Sequence, residues 1–263
     1  MSESQANYRV VPFPQMRQVY VDSLHLGYRK HTIHALIEAD VTHARRIIAG
    51  HKANTGESLS FTAFVLACLG QAVDRNHYMH AYRNWRNQLV LFDEVDVTTM
   101  IEVQAGDARF PLPHVIRAAN KRTFRDIHDE IRGHQVARER QPNPYERLLP
   151  LYTLVPGPLR RLAWKALFRC PHLAKRNVGT TILTSVGMFG DGAGWGIAMP
   201  LYTLGVTLGS IVDRPVRAGD QIEMREHLCM TLSFDHDIVD GAPAARFAQH
   251  FKELLASAYG LED

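Results

Sequence analysis

The chain has 263 residues, of which 46% are hydrophobic, so it can build one large domain or two small ones around a full core. Its net charge of +3 is too small to indicate nucleic-acid binding, and no nucleic-acid motif is recognisable. The three cysteines, Cys68, Cys170 and Cys229, are far apart and form no Cys-x-x-Cys pair, which argues against a disulfide framework and a thiolate metal site. No apolar signal segment or membrane-spanning stretch is present, which predicts a cytoplasmic protein.

The first half of the chain alternates strand-like and helix-like patterns. In chain order these predict a strand (31–40), two helices (42–55 and 61–75), two strands (89–92 and 95–103) and a helix (123–138). Thr42 and Ser60 are the predicted caps of the first two helices. Thr123 and Asp126 form a capping box that opens the third.

A proline-rich break at Pro142 and Pro144 precedes the second half. The elements predicted there are a short basic helix (158–168), three strands (180–186, 202–212 and 221–234) and a C-terminal helix. That helix has one apolar stripe, formed by Phe247, Phe251, Leu254, Leu255 and Ala258. Helices and strands mix without the regular alternation of a doubly wound sheet, so residues 1–263 are predicted to form a single α+β domain.

Two motifs of possible chemical interest lack the context that their chemistry needs. The glycine-rich run 187–196 has neither the Gly-Lys-Ser/Thr ending of a P-loop nor the strand-turn-helix setting of a dinucleotide fingerprint, so a flexible loop is the favoured interpretation. The pairs His31/His34 and His77/His80 have metal-like spacing, but residues i and i+3 of a strand point to opposite faces. No cysteine or carboxylate cluster completes either pair, so structural or solvated histidines are favoured and no metal site is predicted.

The most informative stretch is 232–242, Leu-Ser-Phe-Asp-His-Asp-Ile-Val-Asp-Gly-Ala, a predicted strand that ends in His-x-x-x-Asp-Gly just before the last helix. The imidazole of His236 can accept a proton near neutral pH, and the carboxylate of Asp240 can fix its surroundings. Gly241 lets the chain turn sharply from strand to helix. A lone His-x-x-x-Asp also occurs by chance, and a hydrogen-bonded core histidine explains it equally well.

This stretch closely resembles the catalytic signature of the dihydrolipoamide acyltransferases of 2-oxoacid dehydrogenase complexes, and chloramphenicol acetyltransferase shares its His-x-x-x-Asp-Gly core. Three more segments resemble the same family, namely 59–64 (Leu-Ser-Phe-Thr-Ala-Phe), 115–120 (Val-Ile-Arg-Ala-Ala-Asn) and 183–190 (Leu-Thr-Ser-Val-Gly-Met-Phe-Gly). The likeness spans residues 10–258. It therefore covers most of the chain, with several motifs in the family's order.

The resemblance implies a chloramphenicol acetyltransferase-like α+β fold, a mixed sheet flanked by helices that assembles as a homotrimer. It also implies a CoA-dependent acyltransferase that moves an acyl group between CoA and a thiol acceptor of the lipoyl type. Acyl-CoA is then a substrate, a separate lipoyl or acyl-carrier protein is a candidate partner, and no metal is expected.

The resemblance also implies the site residues. His236 is the general base that deprotonates the thiol, and Thr184 stabilises the oxyanion of the tetrahedral intermediate. Asp240 holds the loop through an ion pair with an arginine, for which Arg17 is the candidate. The histidine of one subunit is expected to face the Thr184 of its neighbour, so these two residues of one chain should not share a site.

Three features depart from the family pattern. Few residues precede the match, so no lipoyl domain, peripheral-subunit-binding domain or lipoyl group is expected on this chain. Asp237 stands where the family usually has arginine, which reverses a charge beside the base and leaves donor and acceptor identity open. The chain ends Gly-Leu-Glu-Asp without an apolar tail, so a free trimer is expected and not a cage.

The segment 141–177 is an expected basic insertion in the common fold. Seven positive charges and no acid lie between Glu146 and Asp191, at Arg147, Arg160, Arg161, Lys165, Arg169, Lys175 and Arg176. A solvated helix packed on its apolar side is the favoured interpretation. The alternatives are a dock for an acidic carrier protein, a contact for the phosphates of CoA, and a membrane-surface patch.

Two other functions stay open at this point. One is a chloramphenicol-acetyltransferase-like O- or N-acyltransferase that acts on a small metabolite. The other is a non-catalytic trimeric scaffold that binds a partner through the basic segment.

Overall fold

The computed structural model of the protein describes residues 8–105, 108–138, 149–186, 192–199 and 201–262. The helices are α1 (Gln15–Gly27), α2 (Thr42–Thr55), α3 (Phe61–Asp74), α4 (Phe124–Arg138), α5 (Leu149–Leu154), α6 (Gly157–Arg169), α7 (Pro171–Val178) and α8 (Gly241–Ala256). The strands are β1 (Thr32–Asp40), β2 (Tyr82–Arg83), β3 (Leu89–Val90), β4 (Val97–Ala105), β5 (Ala108–Ile116), β6 (Thr181–Ser185), β7 (Leu204–Ala218) and β8 (Gln221–Asp235).

A mixed six-stranded sheet organises the molecule, with strand order β1-β8-β7-β6-β4-β5. β6 runs parallel to both of its neighbours, and the other pairings are antiparallel. β2 and β3 form a separate two-stranded ribbon. The predicted α+β class is therefore correct for the described part of the chain.

Capping explains where two of the predicted helices begin. The Ser60 hydroxyl accepts the amide hydrogen of Ala63 at 3.2 Å, as predicted for α3. Thr123 and Asp126 exchange hydrogen bonds at the start of α4, which confirms the capping box. Thr42 is not the cap of α2 but its first residue.

Five of the helices and strands given above were not predicted, namely α1, α5, α7, β2 and β5. β5 contains two prolines, Pro111 and Pro113, which disfavour a strand in the sheet interior because proline cannot donate to the hydrogen-bond ladder. The structure resolves the conflict by placing β5 at the sheet edge, where it pairs with β4 alone. The predicted strand 89–92 is reduced to the two residues of β3.

The main core lies between one face of the sheet and the helices α3, α4 and α8. Alternate residues of the central strands point into it, including Leu183, Leu204, Val206, Leu232 and Phe234, all essentially fully buried. The predicted stripe of α8 faces the same core, where Phe247, Phe251 and Leu255 are buried. Burying apolar side chains from both layers is the main stabilising term of such a packing.

Helices α1, α5, α6 and α7 cover part of the opposite face of the sheet, and α1 contacts both α5 and α6. A buried polar cluster ties these helices together. The Asp22 carboxylate of α1 accepts hydrogen bonds from Arg160 Nε of α6 at 2.6 Å and from the Tyr152 hydroxyl of α5 at 2.8 Å. Trp164 Nε1 donates to the Tyr152 oxygen at 3.1 Å.

The cluster changes the interpretation of the basic segment. Arg160 is 10% exposed and its partner Asp22 is 4% exposed, so this cation serves packing and is not free to dock a partner. Lys175 is likewise paired with Glu94 and Asp96. Arg161 and Lys165 are exposed. Arg147 lies outside the described residues.

We expect Arg160→Ala to lower the free energy of unfolding by about 3–5 kcal/mol, because it leaves the Asp22 carboxylate buried without its cation. Arg161→Ala, on the exposed side of the same helix, is the matched control and should change it by no more than about 0.5 kcal/mol. Equilibrium denaturant unfolding measures both. Equal, small effects would show that the ion pair does not hold these helices together.

His80, in the short turn after α3, is fully buried and hydrogen-bonds Thr180 Oγ1 at 3.0 Å and the Phe92 carbonyl at 3.1 Å. Burial, with a smaller contribution from the charge of His77, lowers the pKa of His80 to about 4. At pH values between about 4, the pKa of His80 in the folded protein, and about 6.5, its pKa in the unfolded chain, the unfolded chain binds the proton more strongly than the folded protein. The contribution of His80 to stability is therefore complete above the unfolded pKa and is lost as the pH falls.

Wild-type protein should consequently lose about 2 kcal/mol more than His80→Asn between about pH 7 and about pH 5. Denaturant midpoints of both proteins at the two pH values give this difference. An identical pH dependence would mean that His80 titrates normally in the folded protein.

The hairpin of β7 and β8 extends beyond the rest of the sheet. Pairing of β7 with β6 ends at Leu208, and pairing of β8 with β1 ends at His227, so residues 214–225 form strand pairs only with each other. Arg214 of β7 binds Glu38 of β1 at the base of the extension through two hydrogen bonds. The turn at Gly219 has a φ of 61°, which glycine adopts without strain.

Candidate active site

The His-x-x-x-Asp-Gly motif forms the turn between β8 and α8. The Asp235 carbonyl accepts the amide hydrogens of Ile238 and Val239, each at 3.0 Å, which closes the turn, and α8 begins at Gly241. The His236 amide donates to the His31 carbonyl at 2.7 Å. These bonds hold His236 at the end of the strand, where its side chain is 44% exposed.

Asp240 lies next to His236. Its Oδ1 is 3.7 Å from His236 Nδ1, which is longer than a hydrogen bond of roughly 3.2 Å. The two side chains therefore form an ion pair, without a hydrogen bond, when the imidazole is protonated. The Asp240 side chain is 84% exposed. Within the described part of one chain, no ion pair joins Arg17 to Asp240.

The acidic neighbours of His236 are bound by other cations. Asp237 accepts a hydrogen bond from His31 Nδ1 at 2.8 Å and lies 3.7 Å from Arg83, while Lys30 binds Asp235 at 2.7 Å. The hydrogen bond to Asp237 raises the pKa of His31, and the same bond lowers the pKa of Asp237. The negative charge of Asp237 beside His236 is thus balanced locally by His31 and Arg83.

Thr184 lies on β6, in the middle of the sheet, and points away from the main core. Its neighbours Leu183 and Ser185 point the other way, because successive side chains of a strand alternate. Among the described residues the Thr184 hydroxyl has no hydrogen-bond partner, so it is free to donate to a ligand. The glycine-rich residues that follow, 187–191, lie outside the described part of the chain.

The Thr184 side chain lines a cavity of about 820 Å³ between the sheet and the covering helices. On the sheet side the cavity is lined by Thr98, Met100, Ile182, Thr184, Gly205, Thr207 and Ser233. The opposite side is formed by residues of α1, α5, α6 and α7, among them Val19, Tyr20, Tyr152 and Trp164. Sequence patterns could not reveal this space, because it exists only where distant helices span the sheet.

One chain does not bring His236 and Thr184 together. Thr184 pairs with Thr207, which pairs with Thr231, and β8 continues four residues further to Asp235. Strand spacing and rise then put the backbones at 184 and 235 about 16 Å apart. His236 does not line the cavity of Thr184.

The histidine pairs singled out by spacing make ordinary hydrogen bonds. His31 binds Asp237, His34 binds Ser233, and His77 and His80 both bind the Phe92 carbonyl. Two other groups of the described residues have metal-like composition, His114 with Glu130 and His134, and Glu57 with His128 and Asp129. Arg122 pairs with Glu130 and Arg125 donates two hydrogen bonds to Glu57, so both carboxylates already have cations.

Solved structures identify the class of fold. Chloramphenicol acetyltransferase superposes with a TM-score of 0.53 at 14% identity, over 93% of this chain and 96% of that one. A probable dihydrolipoamide acetyltransferase of Listeria monocytogenes 4b F2365 superposes with a TM-score of 0.72 at 22% identity, over 96% of both chains. The predicted chloramphenicol acetyltransferase-like fold is therefore confirmed.

Sequence comparison points to the same family. The model of the 2-oxoacid dehydrogenases acyltransferase catalytic domain matches residues 164–261. The lipoamide acyltransferase component of the branched-chain alpha-keto acid dehydrogenase complex of Bacillus subtilis (strain 168) is 25% identical over 227 residues, 84% of this chain and 46% of that protein. The chain spans less than half the length of the curated relatives it matches. The predicted resemblance to the acyltransferase catalytic domains is confirmed, and its matched segment contains Thr184, His236 and Asp240.

Proposed function

We propose that the protein is a CoA-dependent acyltransferase that moves an acyl group between CoA and a thiol acceptor of the lipoyl type. The observation that carries the proposal is the position of Thr184, whose hydroxyl has no partner in the described part of the chain and faces a large cavity, in a segment that matches the acyltransferase catalytic domain. His236 and Asp240 lie in the same matched segment. Acyl-CoA is the proposed substrate, and residues 1–263 act as one catalytic domain with 141–177 as its basic insertion.

The proposed base is His236. A thiol with a pKa near 8.5 is mostly protonated at neutral pH, so the attacking sulfur must lose its proton to become a nucleophile. The neutral imidazole takes that proton and the thiolate attacks the thioester carbonyl carbon. When the tetrahedral intermediate collapses, the carbon–sulfur bond of the donor breaks and the leaving thiolate takes the proton back from the imidazolium. Asp240, at 3.7 Å, steadies the positive charge during these steps.

The proposed oxyanion donor is Thr184. As the thiolate adds, the carbonyl oxygen becomes an anion that needs a hydrogen-bond donor already in place. The Thr184 hydroxyl meets that requirement, because it points into the cavity and has no partner among the described residues.

Because one chain holds His236 and Thr184 apart, we propose a site between subunits of a homotrimer. If His236→Ala and Thr184→Ala chains are unfolded, mixed equally and refolded, about a quarter of the interfaces of a cyclic trimer should pair an intact His236 with an intact Thr184. Activity should recover to about that fraction of wild type, well above either parent. Mixed trimers that show only the average activity of their parents would place both residues in one subunit's site.

The direct test of the proposed function is transfer from acyl-CoA to dihydrolipoamide, followed by release of the free CoA thiol. The acyl-CoA panel should run from acetyl to decanoyl, with His236→Ala as the control for uncatalysed exchange. Transfer to hydroxyl or amine acceptors with none to dihydrolipoamide would favour a small-metabolite acyltransferase. No transfer to any acceptor would favour the scaffold.

A separate lipoyl or acyl-carrier protein is the proposed macromolecular partner. The exposed cations Arg161 and Lys165 of the basic segment could meet an acidic carrier surface, whereas Arg160 could not. Within the described ranges, none of the helices has the length and apolar character needed to cross a membrane.

A further inference from the structure

The cavity beside Thr184 has walls of a distinct chemical character. Its helical side presents side chains such as Met16, Val19 and Leu24 of α1 and Trp164 of α6, and the loop before β7 adds Met199. Hydroxyl groups line it on the sheet, at Thr98, Thr184, Thr207 and Ser233, and also elsewhere, at Tyr20, Ser23, Tyr152 and Tyr202. Arg117, Arg176 and Asn177 lie in the lining as well, but most of the lining surface is apolar.

Several of these polar groups are already bonded within the protein. The Thr98 hydroxyl donates to the Val178 carbonyl at 2.6 Å, and the Ser233 hydroxyl lies 2.8 Å from His34 Nδ1. Arg117 is bound to Asp96 and to two backbone carbonyls. Fewer polar groups are thus left for a ligand, whereas the apolar majority of the lining suits an apolar one.

Polarity decides which part of a thioester lies there. If Thr184 binds the carbonyl oxygen, both the acyl chain and the sulfur of CoA start one bond from that oxygen's carbon, so connectivity alone allows either to extend into the cavity. The pantetheine arm of CoA carries two amides and a hydroxyl, which would lose their hydrogen bonds to water among these side chains. An alkyl chain loses nothing polar and gains from burial.

The size of the cavity argues against a short acyl group. About 820 Å³ is more than five times the roughly 150 Å³ of an engineered apolar cavity that holds benzene. An acetyl group would leave most of that space unfilled. Resting on the function proposed above, we propose that the cavity is an acyl-chain pocket and that the preferred donors are thioesters of medium or long fatty acyl chains.

The basic insertion is then part of the substrate pocket. Its helices α5, α6 and α7 contribute to the lining, and the Asp22–Arg160 pair fixes α6 against α1 above the sheet. Both sides of the pocket's helical wall therefore depend on a contact between the N-terminal helix and the insertion.

Binding of non-reactive thioethers tests the pocket without requiring turnover. The full chain is titrated by calorimetry with S-ethyl-, S-hexyl- and S-decyl-CoA and with the decyl thioether of N-acetylcysteamine. Affinity should rise by about fourfold for each methylene that enters the pocket, hence by on the order of 100-fold from ethyl to hexyl. The decyl thioether of N-acetylcysteamine should also bind, because the decyl chain of the ligand supplies the affinity.

A matched pair of variants tests whether the alkyl chain of the ligand binds in this cavity. Val19 and Val21 lie on α1, Val19 lining the cavity and Val21 being 52% exposed outside it. Val19→Trp should abolish the gain in affinity from ethyl to decyl, while Val21→Trp should behave as wild type. Met199→Trp narrows the cavity from another wall and should repeat the effect if Val19→Trp does not fold.

The outcomes separate this inference from the proposed function. Equal affinity for ethyl and decyl thioethers would overturn the acyl-chain pocket, even if acetyl transfer to dihydrolipoamide is efficient. A chain-length effect that survives both tryptophan substitutions would place the chain elsewhere and also overturn it. Chain-length-dependent binding that both cavity substitutions remove, in a protein that transfers no acyl group, would support the pocket and refute the proposed reaction.

Discussion

Replacing His236 by alanine is expected to lower the turnover of acyl transfer on the order of 10²–10⁴-fold while the fold and the assembly persist. The side chain is 44% exposed at the end of β8 and makes no core contact that the fold requires, so its loss should affect chemistry and not packing. Release of the CoA thiol measures the rate. Sedimentation and an unfolding curve check assembly and stability.

His31→Ala is the matched control for that experiment. His31 is also an exposed histidine of the same surface, and its backbone carbonyl, which survives the substitution, holds the His236 amide. Loss of its side chain frees Asp237 and should change turnover far less than loss of His236. If His236→Ala keeps most of its activity, or if the two variants are equally impaired, His236 is not the base.

The second large effect is expected at Thr184. Thr184→Ala should lower turnover by roughly 10²–10³-fold, because a preorganised donor to the oxyanion is removed. Thr184→Ser keeps the hydroxyl and should cost little. Initial rates with saturating acyl-CoA and acceptor measure the change in kcat.

Thr207→Ala is the matched control for Thr184. Thr207 pairs with Thr184 in the neighbouring strand and lines the same cavity, so its truncation tests whether any lost hydroxyl has the same effect. An equal loss of turnover in Thr184→Ala and Thr184→Ser would indicate that the Thr184 side chain serves packing. Equal damage at 184 and 207 would indicate a general disturbance of the sheet, and in both cases the oxyanion role would be rejected.

The parts of the fold that could be predicted from the sequence are those whose signal is local. Strand periodicity and the cap at Ser60 are complete within short windows, as is the apolar stripe of α8, and the structure confirms them. Helix α1 has no such signal, since Pro14 at its N-cap position makes no side-chain hydrogen bond. Its packing depends on Asp22 meeting Arg160, which is 138 residues away in the chain. No window of the sequence contains both partners.

The site divides in the same way. The motifs single out His236, Asp240 and Thr184, because each lies in a short sequence segment typical of the acyltransferases. Sequence patterns did not reveal that His31 and Arg83 bind Asp237, or that a cavity lies above Thr184. Both depend on which elements lie next to each other in space. Sequence reasoning therefore predicted the candidate reacting groups but neither their local electrostatics nor the shape of the space beside them.

The long hairpin of β7 and β8 offers a place for attaching reporters. Its tip, at Gly219 and Asp220, lies 15 residues along β8 from Asp235, roughly 50 Å at the rise of a strand. Exposed turns of this kind tolerate insertions, because no buried contact is lost. Two different affinity tags placed there would let mixed assemblies of the proposed trimer be isolated on sequential columns, with the distant turn at His236 undisturbed.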